Sequence, residues 1–295
     1  MIKRTVEVSG PDTGLSIRYG QVIVQRNGEH IGRFSAEDVG VLIVDTPTAQ
    51  YTHATLVELV EHGAAVLLCG SDHLPAALVM PCAANSLQTE RLAAQVNAKR
   101  PLKKRLWQQL VRAKIRNQAR NFPDGSEAQE HLLGLVKRVH SGDPENIEAH
   151  AARLYWAEWL PNTLFRRRPN GEPPNNLLNY GYAVLRAAVA RAAAGAGLHP
   201  SIGLHHHNRY DTFCLADDLV EPLRPLVDRV ARDLFLQGND EINKETKTGL
   251  LSLLLEPVEI KGATGPLFVE LEKMSASLVR CYMGEADKLE IPSLQ

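Results

Sequence analysis

The hydrophobic pattern of this chain changes its period once, and that change limits what it can fold into. Up to about residue 75, apolar residues alternate with polar ones or stand in short solid runs; beyond Gln88 nearly every segment has a period near 3.6. In "YGQVIVQRNGEHIGRF" the alternation lies on both sides of Asn27-Gly28. A type I′ hairpin turn favours that pair because both central residues need positive φ. "VGVLIVD" and "AAVLLCG" read as buried strands, and the helical spacing of "THATLVELVEHG" between them stops at Gly63. The later chain is rich in Ala, Leu and Arg, and "RRRPNGEPPNN" (166–176) interrupts it as an exposed loop. The expected class is α+β: a small β-rich domain over residues 1–80, then a larger α-helical domain over 81–295.

At 295 residues, 44% apolar and 23% charged, the chain has the composition of a soluble globular protein. No apolar run approaches a membrane span and "MIKRTVEVSG" lacks a signal-peptide core, so a cytoplasmic protein with no membrane partner is expected. Cys69, Cys82, Cys214 and Cys281 form no CxxC pair, which argues against a disulfide framework or a zinc site. The net charge of −1 hides an asymmetry, for Lys99 to Arg120 holds nine Lys or Arg and no acid in 22 residues. A solvated helix face is the plain reading, but such faces usually mix both signs. An unrelieved positive run points to a polyanion, most simply nucleic acid.

Two segments concentrate metal-ligating chemistry. In "SGDPENIEAHAARLYWAEWL", Asp143 is placed to cap a helix, with Pro144 at its first position. Glu148 then lies at the edge of an inward face marked by Ile147, Ala151 and Leu154, with no Lys or Arg three or four residues on. A half-buried carboxylate without a partner needs a cation; an exposed surface Glu is the alternative when this helix is taken alone. The second segment, "IGLHHHNRYDTFCLADDLVEPLRP" (202–225), puts His205, His206 and His207 shortly before Asp218 and Glu221. Asp218 and Glu221 are at helical spacing, and Pro222 and Pro225 suggest an irregular helix. One imidazole with two or three carboxylates suits Mg²⁺ or Mn²⁺, and a single cysteine, Cys214, with no CxxC pair argues against a closed structural zinc site.

The order of motifs in "IEAHAARLYWAEWLP", "NLLNYGYAVLRAAVARAAAGAGLHPSIGLHHHNRYDTFCLADDLVEPLRPLVD" and the β-rich N-terminus resembles the CRISPR-associated integrase family, the first Cas protein of spacer acquisition, and is most similar to its type II branch. The resemblance implies a metal-dependent endonuclease and transesterase, which joins spacer DNA to a CRISPR repeat by attack of a 3′-hydroxyl on a phosphodiester. It implies one Mg²⁺ or Mn²⁺ held by Glu148, His206 and Glu221, with Asp218 lining the same site; Glu221 stands where many relatives carry Asp. Matching the family spacing to the "DLVEP" acid selects His206 among the three histidines. The implied partners are double-stranded DNA (prespacer and repeat), a second copy of the chain, the small second Cas protein bridging two dimers, and in the type II branch an effector nuclease. Lys103, Lys104, Arg105 and Arg112, with Arg166, Arg167 and Arg168, are the expected phosphate contacts. A metal-dependent nuclease without integration and a non-enzymatic DNA-binding scaffold are the rival readings.

Overall fold

The computed structural model describes residues 3–293 apart from 72, 74, 83 and 161–164. The strands are β1 (Arg4–Val8), β2 (Thr13–Arg18), β3 (Gln21–Arg26), β4 (Glu29–Ser35), β5 (Val39–Val44), β6 (Gln50–Tyr51), β7 (Ala65–Cys69), β8 (Pro75–Val79), β9 (Pro257–Ile260) and β10 (Ala263–Pro266). The helices are α1 (His53–Glu61), α2 (Gln88–Val96), α3 (Arg100–Ala119), α4 (Glu127–Val136), α5 (Ile147–Glu158), α6 (Asn175–Gly195), α7 (Cys214–Val220), α8 (Arg224–Leu236), α9 (Lys244–Ser252) and α10 (Leu267–Met283). Among the described residues no helix is long and apolar enough to cross a membrane.

Two sheets build the N-terminal part, ordered β1-β5-β7-β8 and β4-β3-β2-β6. The Asn27-Gly28 turn between β3 and β4 has φ of 51° and 82°, as its residue types require. In the first sheet β1, β5 and β7 run parallel, and β5 is buried along its whole length. Burial on both faces explains why this strand reads as a solid apolar run. Leu42 and Val44 face a small core with Leu15, Val22, Leu59 and Val66. Val41 and Ile43 point the other way, into the main core of the helices. The β-rich part therefore shares its central strand with the helical part. At the seam, Lys247 of α9 bridges Glu7, at 3.2 Å, and Asp45, to which it donates a hydrogen bond.

Beyond residue 81 the chain is not wholly helical, because β9 and β10 form a hairpin against α10. Its turn, Lys261-Gly262, has φ of 52° and 79°, the same device as Asn27-Gly28. Each strand spans only four residues, too short for alternation to stand out from the flanking helical period. The largely buried α6 runs through the helical part. Gly181 lets α8 approach it, for a Cβ there would lie 2.4 Å from Val227 Cγ1. The basic α3 packs on α4, α5, α8 and the 3₁₀ turn Glu221–Leu223, which brings the distant acidic segments together.

Candidate active site

Glu148 reaches its position through a cap that the sequence only half shows. Helix α5 starts at Ile147, later than the Asp143-Pro144 pair suggests, because Asn146 takes a left-handed φ of 53°. Asp143 still caps it: its carboxylate accepts from the Ile147 and Glu148 backbone N–H groups, both at 2.9 Å. Ile147, Ala151 and Tyr155 form the buried stripe, leaving Glu148 on its flank.

The expectation that Glu148 has no cationic partner is overturned. Lys114 of α3 donates to Glu148 Oε1 and to Glu221 Oε2, at 2.5 Å each. Glu221 Oε1 accepts from Arg224 Nε at 2.8 Å. Burial pushes the Glu221 carboxyl up, but Arg224 and Lys114 outweigh it and hold the group at about 2. Glu221 is thus ionised throughout the physiological range. The missed partner came from a helix remote in sequence. Its signal lay in the periodicity of α3: Leu106, Leu110 and Lys114 share one buried stripe, and a lysine on an apolar stripe implies interior acids.

Asp218 and Glu221 take different hydrogen-bond partners. Helix α7 ends at Val220 and Glu221 opens a 3₁₀ turn, so the two acids face different neighbours. Asp218 is fully buried and saturated by the histidine loop. It accepts from the backbone N–H of Leu204 (2.6 Å), His205 (3.0 Å) and His206 (3.1 Å), and pairs with His206 Nδ1 at 2.7 Å. It is a positioning residue for His206: its hold on Nδ1 leaves Nε2 as the free ring nitrogen. That hydrogen bond raises the His206 pKa against the effect of burial, and the charges of Asp218 and Glu221 act in the same sense. Gly203 makes the close approach feasible, since a Cβ would lie 2.2 Å from the His206 carbonyl oxygen and 2.8 Å from Asp218 Oδ2.

The other two histidines have other partners. His205 stacks on Trp107 with centroids 4.2 Å apart and planes within 3°, and burial lowers its pKa. His207 donates through Nδ1 to the His205 carbonyl oxygen. Trp107, a buried shelf for the loop, is a second residue that the sequence reading missed.

The expected phosphate contacts separate into three groups. Lys103 donates to the Gly203 carbonyl oxygen at 3.4 Å, at the root of the histidine loop, and Lys104 is exposed. Arg105 and Arg112 line a groove of about 800 Å³ together with Arg116, Arg120 and the segment 287–293. Among the described residues none of these four guanidinium groups pairs with a carboxylate. Arg166 and Arg168 are exposed around a separate cavity of about 530 Å³. Arg167 is turned inward, donating to Asn175 Oδ1 (3.0 Å) and Asn179 Oδ1 (2.7 Å) with its guanidinium over the Tyr182 ring, so it braces the loop.

As they stand, no three His, Cys, Asp or Glu side chains among the described residues are grouped to hold an ion. The donor chemistry nevertheless fits a cation. Glu148 and Glu221 already converge on one positive charge, the Lys114 ammonium, and hard carboxylate oxygens with one imidazole nearby suit Mg²⁺ or Mn²⁺.

The sequence profile of the family described as CRISPR associated protein Cas1 matches residues 6–256. The CRISPR-associated endonuclease Cas1 of Neisseria meningitidis serogroup C (strain 8013) is 38% identical over 288 residues, covering 95% of this chain and 93% of that protein. This chain belongs to the Cas1 family. Its fold matches that of a casposase bound to integration product, with a TM-score of 0.81 at 18% identity over 97% of this chain and 92% of the other. A Cas6-RT-Cas1–Cas2 complex gives a TM-score of 0.78 at 18% identity, over 98% of this chain and 36% of that one. The α+β architecture is thus that of Cas1 and casposase structures.

Proposed function

We propose that this Cas1 protein is a metal-dependent CRISPR integrase, joining the 3′-hydroxyl of a short foreign DNA to a phosphodiester of the repeat. The observation that carries this reading is the convergence of Glu148 and Glu221 on the Lys114 ammonium of α3, the same helix on which the His206 loop, held by Asp218, packs through Trp107. Glu148, Glu221 and His206 Nε2 would hold one Mg²⁺ or Mn²⁺. Such an ion, when bound, acidifies a hydroxyl and stabilises charge on phosphorus oxygens. The chain's own residues supply the rest. Arg224 and the buried 3₁₀ turn fix Glu221, and Asp218 with the Trp107 shelf fixes the histidine loop. Lys104, Arg105, Arg112, Arg116, Arg120, Arg166 and Arg168 present charge to DNA backbones without reading bases. With Nδ1 engaged by Asp218, His206 would serve as a ligand rather than a general base, since an Nε2 bound to the ion has no lone pair left to take a proton.

The neighbours' identities support this reading over a scaffold role: a casposase bound to integration product, a Cas1–Cas2 complex and relatives named endonucleases. By the same likeness the partners are a second copy of the chain, the small second Cas protein, DNA and, in the type II branch, an effector nuclease. The test is incubation with the small second Cas protein, a labelled prespacer and a supercoiled repeat plasmid. Strand-transfer products should appear with Mn²⁺ or Mg²⁺ and vanish with EDTA. Cleavage without strand transfer would favour the plain nuclease, and metal-independent product would remove the site assignment.

A further inference from the structure

We propose that Lys114 is a resident counter-cation, occupying the point where Glu148 and Glu221 converge until a divalent ion displaces it. The inference rests on the metal reading above and concerns what holds the site together before metal arrives. Lys114 is 8% exposed, and its ammonium lies 2.5 Å from one oxygen of each carboxylate. A hard divalent ion binds such oxygens at about 2.0–2.6 Å, so an ion shared by the same pair would claim the same position. Two cations so close repel by far more than a lysine rotamer change costs. Without either cation, Glu148 and Glu221 would face each other uncompensated, with Arg224 engaging only Glu221. The ammonium therefore keeps the metal-free site folded and sets the affinity that an incoming ion must exceed.

The structure also offers the displaced group a destination. A cavity of about 150 Å³ beside Glu221 is lined by Lys114, Gln118, Arg167, Arg224, Tyr182 and Asp228. The flexible four-carbon stem lets the ammonium swing into it, towards the Asp228 carboxyl, while α3 stays in place. Arg224, whose guanidinium stacks over Tyr182 and pairs with Glu221, has no such freedom.

Reductive methylation with formaldehyde and a borane, read by peptide mass spectrometry, tests the displacement on the unmodified protein. Lys114 should be protected in EDTA and labelled severalfold faster in saturating Mn²⁺, while exposed Lys104 and Lys261 label equally in both. Equal protection of Lys114 with and without Mn²⁺, in protein shown by calorimetry to bind the ion, would overturn the proposal. In parallel, Lys114→Met should lower the metal-free Tm and tighten the Mn²⁺ Kd by about tenfold. An unchanged Kd in that variant would also count against it. If Glu148→Gln and Glu221→Gln bind Mn²⁺ like the wild type, the metal reading itself has failed and the displacement falls with it.

Discussion

Two buried lysines in this molecule each bridge two carboxylates with a histidine nearby, yet their surroundings give them different work. Lys247 joins Glu7 and Asp45, and Asp45 also pairs with His73 at 2.9 Å. Lys114 joins Glu148 and Glu221, with His206 held close by through Asp218. Around Lys247 the acids lie on β1 and just after β5, with side chains 12% and 2% exposed, so both are largely enclosed although His73 beside them reaches solvent. Around Lys114 the Glu148 side chain is 26% exposed and a cavity adjoins the cluster. The same residue types thus act as a clamp between sheet and helices in one place and as an accessible cationic site in the other. The partial exposure of Glu148 and the cavity beside Lys114 separate the two roles.

The sharpest way to break this contrast is Lys247→Met. Leaving Asp45 and Glu7 buried without their cation should destabilise the fold by about 3–5 kcal/mol, measured by urea unfolding. Mn²⁺ affinity of the folded fraction should stay unchanged. A metal-binding defect in this variant would erase the distinction between clamp and site.

A smaller effect is expected from Asp228, which accepts a hydrogen bond from Tyr182 and lines the cavity beside Lys114. Burial pushes its carboxyl up to about 7. Because the folded pKa exceeds the unfolded value of 3.8, the folded chain holds a proton that the unfolded chain has lost between those limits. This group's contribution to stability should therefore fall as pH rises, by on the order of 2 kcal/mol between pH 5 and 7. Asp228→Asn should flatten that slope, and an unaltered slope would show that Asp228 is ionised in the fold.

How much of this was legible in the chain differs between the two lysine sites. The Asn27-Gly28 hairpin, the solid run of β5 and the helical period after Gln88 were readable because each is a local pattern. Glu148, His206 and Glu221 were readable as candidates from their types and motif order. Their connection through Lys114 was not, since the run from Lys99 to Arg120 looks uniformly basic until its buried stripe is separated from its exposed one. The partners of Asp218 and Arg167 were hidden for the same reason: spacing gives the direction of a side chain, not the groups that saturate it. Neither Lys247 nor its acids carried any sequence signal, because their contact spans about 200 residues.

The smallest expected effect concerns the other stripe of α3. Reversing Arg105, Arg116 and Arg120 to glutamate, while sparing Arg112, whose guanidinium donates to the Val139 carbonyl oxygen, should flatten the dependence of log Kd on log salt by roughly 0.9 for each lost phosphate contact. The midpoint of unfolding should stay nearly unchanged. An unaffected slope would mean that the groove along segment 287–293 does not carry DNA.

The central claim, that Glu148, His206 and Glu221 form one metal site, is tested most directly by calorimetric Mn²⁺ titration of the metal-stripped protein and three variants. Wild type should bind one ion per chain, Lys247→Met should match it, and Glu148→Gln and His206→Ala should each weaken binding by at least about tenfold. Equal affinity in all four proteins would contradict the assignment.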